Sequence, residues 1–524
     1  MSRKSLSLLS QYCLGTAEAE VGAGCESDIY VEMDAVDDIL SMLPGSPRLL
    51  VGHKGNGKTL LMKNLEHILQ KQGNCVLYLK PSDLIDKTTP VSDDPAVLKA
   101  FYFRAIVMCI ARKLGAELPV VIDSKDKVLR AIARAEGDCD DDCVEGLLKV
   151  FASIGCAVAN VDQAVGEMFI SGESSPNKVL RSVEGNLDRA NKPFYLMIDE
   201  PDDVGTSDSV AVRIWGLLNA CQEFALRVKN ARCLITLRTE VWSMMSKGAL
   251  GGKNYDHFKP LVIRLDPTDD EIGEIIKKRF EFVASRLDDG KADPMDCFFE
   301  GVDVELPPPA KDERRPWIKY LIKVSGYRPR AAIQYLNRLA VHAISAKRPF
   351  ITSEDVRSCS AAFSEERIVQ LAREYEHDFP DAMIVYKTFA QLPFEIPTEE
   401  IKQHLEKIIG SNHIILRGKQ LVRTRIEDVF SLWSMLYETA FLNPYIPDAN
   451  ERKEYRHVLF QDDERLVSAN NYNEMQKYNW EVHPAFRSYL CTLLDEEIRR
   501  VSVLKKLKQF EQNPNFYRKK HKRF

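Results

Sequence analysis

The stretch Gly52-His53-Lys54-Gly55-Asn56-Gly57-Lys58-Thr59 constrains this chain more than any other, because it satisfies the phosphate-cradling pattern G-x-x-x-x-G-K-[ST] in full. Apolar Leu49-Leu50-Val51 runs into it, and Leu60-Leu61-Met62-Lys63-Asn64-Leu65 leaves it at helical spacing. Strand, loop and helix follow in the order that such a loop needs. Its glycines let backbone N–H groups approach phosphate oxygens at a helix N-terminus. Gly52, His53, Lys54, Gly55, Asn56, Gly57, Lys58, Thr59 and Leu60 are therefore predicted to bind a nucleoside triphosphate, Lys58 neutralising β/γ oxygens and the Thr59 hydroxyl ligating Mg²⁺.

A second signal lies far downstream. Phe194-Tyr195-Leu196-Met197-Ile198 is a fully apolar run closed by Asp199-Glu200. A buried parallel strand delivers its C-terminal residues to the ligand crevice, so Asp199 is expected in the magnesium shell and Glu200 beside the attacking water. Further strands are predicted at 75–80, 232–240 and 260–265, with a long, mostly helical insertion at about 90–190. Thr236 and Arg238, either side of Leu237, can both reach from a strand end toward the terminal phosphate. This alternation predicts an α/β fold with a doubly wound parallel sheet over residues 46–266.

Helical periodicity dominates beyond it, at 271–287 and 317–343, with loops near 288–315. Arg328 and Arg330 stand at a turn-to-helix junction, where a lid helix can aim one of them at phosphate or leave both solvated. Three further helical patterns (380–395, 398–410, 425–441) precede two short strands, 455–460 and 479–482, and a helix from Pro484. Such a set suggests a winged-helix module over 366–495. It can place one helix in a DNA major groove, with Lys402, Lys407, Arg417, Lys419, Arg423 and Arg425 on phosphates; a resemblance to STAND-like proteins, in which such a module packs on the nucleotide domain as a brake, implies a purely intramolecular role instead.

Net charge is −5, yet residues 499–524 carry ten Lys/Arg against Glu511, leaving −14 for the rest. Attraction to nucleic acid is thus local to the tail, which can equally dock on an acidic partner or simply solubilise. Cys139 and Cys143 flank an acidic run without a second thiol pair, which reads as a solvated loop. No N-terminal apolar segment and no membrane-spanning run appears, so the expectation is a cytoplasmic location with no membrane partner.

The whole constellation resembles the AAA+/STAND division of P-loop ATPases, including prokaryotic AAA+ proteins and the origin-recognition type with helical lid and winged helix. The likeness covers about 46–365. It implies that 52–59 is Walker A, that Asp199 and Glu200 are Walker B, and that 326–330 is the sensor-2 region with Arg330 its sensor. Arg238 fills the strand-end position; Thr236 and Arg238 there, where many AAA+ enzymes have Asn, favour a STAND-like switch over a ring motor. No arginine finger is placed, since 242–258 offers only Lys247 and Lys253. No guanine-reading element or ABC signature is present, which points to ATP with Mg²⁺. The expected domains are an N-terminal segment (1–45), the nucleotide domain (46–266), the lid (267–365), the winged-helix-like domain (366–495) and a basic tail (496–524).

Three uses follow from this reading. The first is an ATP-hydrolysing switch controlling assembly or activation of a protein partner, by resemblance in anti-phage defence, with a homo-oligomer possible. The second is an ATP-regulated DNA-binding protein in replication, repair or mobile-element control. The third is a non-hydrolysing scaffold, against which Glu200 argues.

Overall fold

The computed structural model describes residues 2–11, 30–31, 33, 35–42, 45, 47–80, 94–117, 124–135, 176–201, 208–247, 251–287, 294–310, 313–445, 457–460 and 462–495. Cys139, Cys143, the Tyr455-Arg456 part of a predicted strand and the basic tail lie outside them. Two compact units divide the chain: Glu32–Pro267, and Met1–Val31 together with Thr268–Phe524. The N-terminal helix α1 (Ser2–Leu9) belongs to the second of these and packs there on the helices at Asp269–Ala284 and Pro329–Ser345.

The first unit is a parallel five-stranded sheet, β1 (Arg48–Gly52), β2 (Cys75–Leu79), β3 (Phe194–Ile198), β4 (Ala231–Arg238) and β5 (Val262–Arg264), in the order β2-β3-β4-β1-β5. All five residues of β3 are buried, which is why that strand reads as an unbroken apolar run. The helices among the described residues of this unit are α2 (Ala35–Leu40), α3 (Lys58–Lys71), α4 (Pro95–Glu117), α5 (Ser124–Ala135), α6 (Pro176–Ala190), α7 (Asp208–Arg227), α8 (Thr239–Lys247) and α9 (Gly251–Phe258). The predicted insertion supplies α4, α5 and α6, which pack on one another. Helix α4 also lies against α7, and Tyr102, Ile106, Ile110, Trp215 and Leu218 join the strands in one apolar core.

In the second unit α10 (Asp269–Ala284) starts with a capping box between Thr268 and Glu271. A short antiparallel hairpin, β6 (Asp303–Glu305) and β7 (Arg314–Pro316), stands where the sequence suggested only loops; strands of three residues ending Arg-Arg-Pro show no alternation to detect. The helical stretch expected at 317–343 is two helices, α11 (Trp317–Ser325) and α12 (Pro329–Ser345), divided at the turn that the sequence places before Arg328 and Arg330. Gly326 closes α11 at φ 65, and Pro329 opens α12 at its first turn. α13 (Ser353–Glu374) follows, again from a capping box, Thr352 with Asp355.

The remaining elements run α14 (Ala382–Thr388), β8 (Glu395–Ile396), α15 (Thr398–Ser411), a hairpin β9 (Ile415–Leu416) and β10 (Lys419–Gln420), α16 (Ile426–Glu438), β11 (Leu442–Tyr445), α17 (Tyr472–Met475), β12 (Asn479–Val482) and a helix over 484–495. The two-stranded wing predicted from 455–460 and 479–482 is corrected. β12 instead pairs with β11 and β8 in a three-stranded antiparallel sheet, and His457 makes only an isolated bridge to Tyr445. Pro444 hid β11 from a reading of the sequence, and proline is tolerated there because β11 is an edge strand. Likewise the helical pattern at 380–395 ends early and yields β8.

Candidate nucleotide site

The phosphate loop leaves β1 at Gly52 and enters α3 at Lys58. Gly55 and Gly57 take φ 92 and 88, which side-chain-bearing residues adopt only under strain. At Gly52 the constraint is space instead: a Cβ would lie 2.7 Å from the Leu265 carbonyl oxygen. Asn56 anchors the loop by donating from Nδ2 to that same carbonyl at 2.8 Å, while its buried Oδ1 has no partner among the described residues. Lys58 is buried and donates to the carbonyls of Gly52 (2.6 Å) and His53 (3.1 Å), so its ammonium lies across the loop's own backbone. Lys54 is exposed, and Thr59 and Leu60 are half-buried on the first turn of α3, whose leading amides have no helical acceptor.

The acids arrive from β3, which is separated from β1 by β4. Thr59 Oγ1 donates to Glu200 Oε1 at 3.3 Å across 141 residues of sequence. Asp199, 1% exposed, is held by two hydroxyls: Tyr78 donates to Oδ2 and Thr236 to Oδ1, each at 2.7 Å. The Glu200 backbone N–H donates to Thr236 Oγ1 at 2.8 Å, and Glu200 sits at φ 52, which turns its side chain out of the strand's alternation. Burial, and then the charge of Asp199, pushes the Tyr78 phenol far above its ordinary value.

Of the sequence-predicted residues, the structure thus brings together the loop, Thr59, Glu200 and Asp199 at the C-terminal edge of the sheet. The acid in contact with Thr59 is Glu200; Asp199 faces Tyr78 and Thr236. Thr236 serves the two acids, where the sequence suggested a reach toward the terminal phosphate. Arg238 ends β4 in register with Gly52, beside the start of the loop. Arg330 is the second residue of α12 in the other unit. Its neighbour Arg328 is buried in a bidentate pair with Glu374 at 2.6 and 2.9 Å, and the carboxamide of Gln370 links Glu374 to buried Arg367. Burial and the charge of Arg328 pull Arg367 down to about 9. Tyr78 was missed; its only trace is one hydroxyl in the apolar run of β2.

Strand, glycine loop and helix, with paired acids on a nearby parallel strand, make a P-loop NTPase fold. The family described as the FunZ-associated C-terminal helical domain matches residues 270–372. The gamma-delta transposon 80.3 kDa protein of Escherichia coli (strain K12) is 22% identical over 395 residues, 70% of this chain and 52% of that protein. The chain therefore spans about half the length of that relative. Among solved structures it is similar to Cdc6p from Pyrobaculum aerophilum (15% identity, 94% of this chain and 98% of that one, TM-score 0.33). It is also similar to the Aeropyrum pernix ORC2 protein in its ADPNP-ADP complexes (14%, 89% and 92%, TM-score 0.32) and to Aeropyrum pernix ORC1 in complex with DNA (14%, 90% and 96%, TM-score 0.29). At such TM-scores these likenesses place no residue.

Among the described residues, no helix is long and apolar enough to cross a membrane. Of the basic residues predicted to hold DNA phosphates, Arg417 is paired with Asp378 and Glu438, Lys419 bonds Asp428, and Lys402 lies over the Tyr472 ring. Arg423 rests its Cδ against Gly410 at the end of α15. In α16 only Ile426 and Glu427 are exposed. Its Phe430, Trp433 and Tyr437 are buried and make ring contacts with Tyr472, Trp480 and Phe460 respectively.

Proposed function

We propose that this chain is an ATP-binding and ATP-hydrolysing AAA+/STAND-like switch that controls the assembly or activation of a protein partner. One observation carries the reading: the hydroxyl of Thr59 and the carboxylate of Glu200 meet at 3.3 Å beside the phosphate loop. The donor set fits magnesium, which takes one or two carboxylates and completes its shell with phosphate and water. Thr59 and Asp199 would hold it, and when bound it neutralises charge on the phosphates. Lys58 would exchange the carbonyls of Gly52 and His53 for phosphate oxygens. Glu200 would orient the attacking water, with Arg238 and Arg330 as sensors of the terminal phosphate.

Lys58→Ala and Glu200→Gln test this with a fluorescent ATP analogue and a phosphate-release assay. Lys58→Ala loses affinity, whereas Glu200→Gln binds as wild type and retains ATP unhydrolysed. Unchanged turnover in both variants would sink the site assignment.

A second reading, ATP-regulated DNA binding in mobile-element control, is favoured by the transposon origin of the Escherichia coli relative. The helix and strand order from α14 to β12, with sheet order β8-β12-β11, supports a winged-helix module there. Binding through the tail requires DNA affinity that falls steeply with salt and whose salt slope shrinks on removal of 499–524. Affinity independent of salt removes this reading.

A further inference from the structure

We propose that Tyr78 is a positioning residue for the metal shell of the phosphate site: its phenol fixes the carboxylate plane of Asp199 for magnesium. The inference rests on the ATP-site reading above. Asp199 lies at the end of β3, and the strands on either side of β3 each send one hydroxyl to it. Tyr78 comes from β2 and Thr236 from β4, each at 2.7 Å from a different carboxylate oxygen. The carboxylate is 1% exposed, so these two donors, not bulk water, set its plane. A carboxylate oxygen accepts, and the Tyr78 phenol donates to it. The direction of the bond is therefore fixed. Each carboxylate oxygen keeps a further lone-pair direction for a metal or for its bound water.

Thr236 ties this clamp to the second acid. Its Oγ1 donates to Asp199 and accepts the Glu200 N–H at 2.8 Å, so the backbone that presents Glu200 to Thr59 is fastened to the same carboxylate. Tyr78 thus holds one end of a chain of contacts that runs Tyr78, Asp199, Thr236, Glu200, Thr59. Partners that orient a ligating carboxylate typically change metal affinity about 10- to 100-fold when removed. A tyrosine that merely satisfied a buried acid would alter the melting temperature and leave the metal requirement alone.

The test uses the full chain and a fluorescent, hydrolysis-resistant ATP analogue, titrated once in chelator and once with Mg²⁺ at fixed nucleotide. Tyr78→Phe removes one oxygen and keeps the ring. Its chelator affinity is expected within about twofold of wild type, while the Mg²⁺ midpoint rises about 10-fold. In an Asp199→Asn background, Tyr78→Phe adds nothing further, as expected of two groups acting as one. A Tyr78→Phe midpoint within twofold of wild type, in an assay where Lys58→Ala has lost binding, overturns the proposal and leaves the ATP site standing. If Lys58→Ala binds like wild type, the ATP-site reading fails and the proposal fails with it. Should Tyr78→Phe not fold, Thr236→Val gives the same answer through the other hydroxyl. Its midpoint must rise and be restored by Thr236→Ser, and an unmoved midpoint overturns the clamp.

Discussion

Glu374→Ala is the sharpest perturbation the second unit offers. The carboxylate closes α13 and grips Arg328, the residue just before α12, in a bidentate pair whose side chains are 7% and 8% exposed. Gln370 connects it to Arg367, also buried and still a cation at neutral pH with its value near 9. Removing the acid leaves two neighbouring buried guanidinium groups without this negative partner. Breaking one side of such a pair costs about 3–5 kcal/mol. For a cooperative unit of this size, about 2–4 °C is lost per kcal/mol, so the transition of this unit should fall by about 6–20 °C in differential scanning calorimetry. Glu374→Gln, which keeps hydrogen bonding but not charge, should fall between. The double variant Arg328→Met with Glu374→Met should recover most of the loss, because it removes both charges and keeps volume. A Glu374→Ala transition within about 2 °C of wild type, less than even 1 kcal/mol would give, would refute this account of α12 and α13.

Two further outcomes follow from the same structure. Burial and the neighbouring His457 pull His483, 5% exposed, down to about 3 from an ordinary 6.5, so the folded chain holds it neutral and unfolding takes up a proton. Its contribution is whole above pH 6.5 and declines through the window down to about 3, amounting to about 2 kcal/mol lost by pH 5; urea titrations of wild type and His483→Gln should converge in pH slope only if this is wrong. Gly52→Ala forces a Cβ to 2.7 Å from the Leu265 carbonyl, which is backbone and cannot swing aside. A loss of about 1–3 kcal/mol with weakened nucleotide binding is expected, and wild-type melting with wild-type affinity would contradict the packing described at the loop.

The parts of this molecule that sequence reveals are those whose cause is local. β3 announces itself because both of its faces are buried, and the phosphate loop because Gly55 and Gly57 need left-handed φ while Lys58 and Thr59 need fixed spacing. What escapes is whatever depends on which strand lies beside which. Tyr78 meets Asp199 only because β2 is the neighbour of β3, and Thr236 meets both acids only because β4 lies between β3 and β1. β11 carries a proline at an edge, and β8 is two residues long, so neither shows the alternation from which a strand is inferred. Arg328 and Arg330 look alike in sequence; the first is spoken for by Glu374, forty-six positions on.

Helix α16 has the place in the chain that a base-reading helix would take, yet it wears a roof. Laying it into a groove would first strip Phe430, Trp433 and Tyr437 of their aromatic neighbours, at about 1.5–3 kcal/mol for each ring returned to water, before any base was touched. Under the DNA-binding reading proposed above, a genetic screen for altered target preference would accordingly collect its hits in the exposed approach from Val422 to Glu427, while the body of the helix would surface only in screens for lost folding.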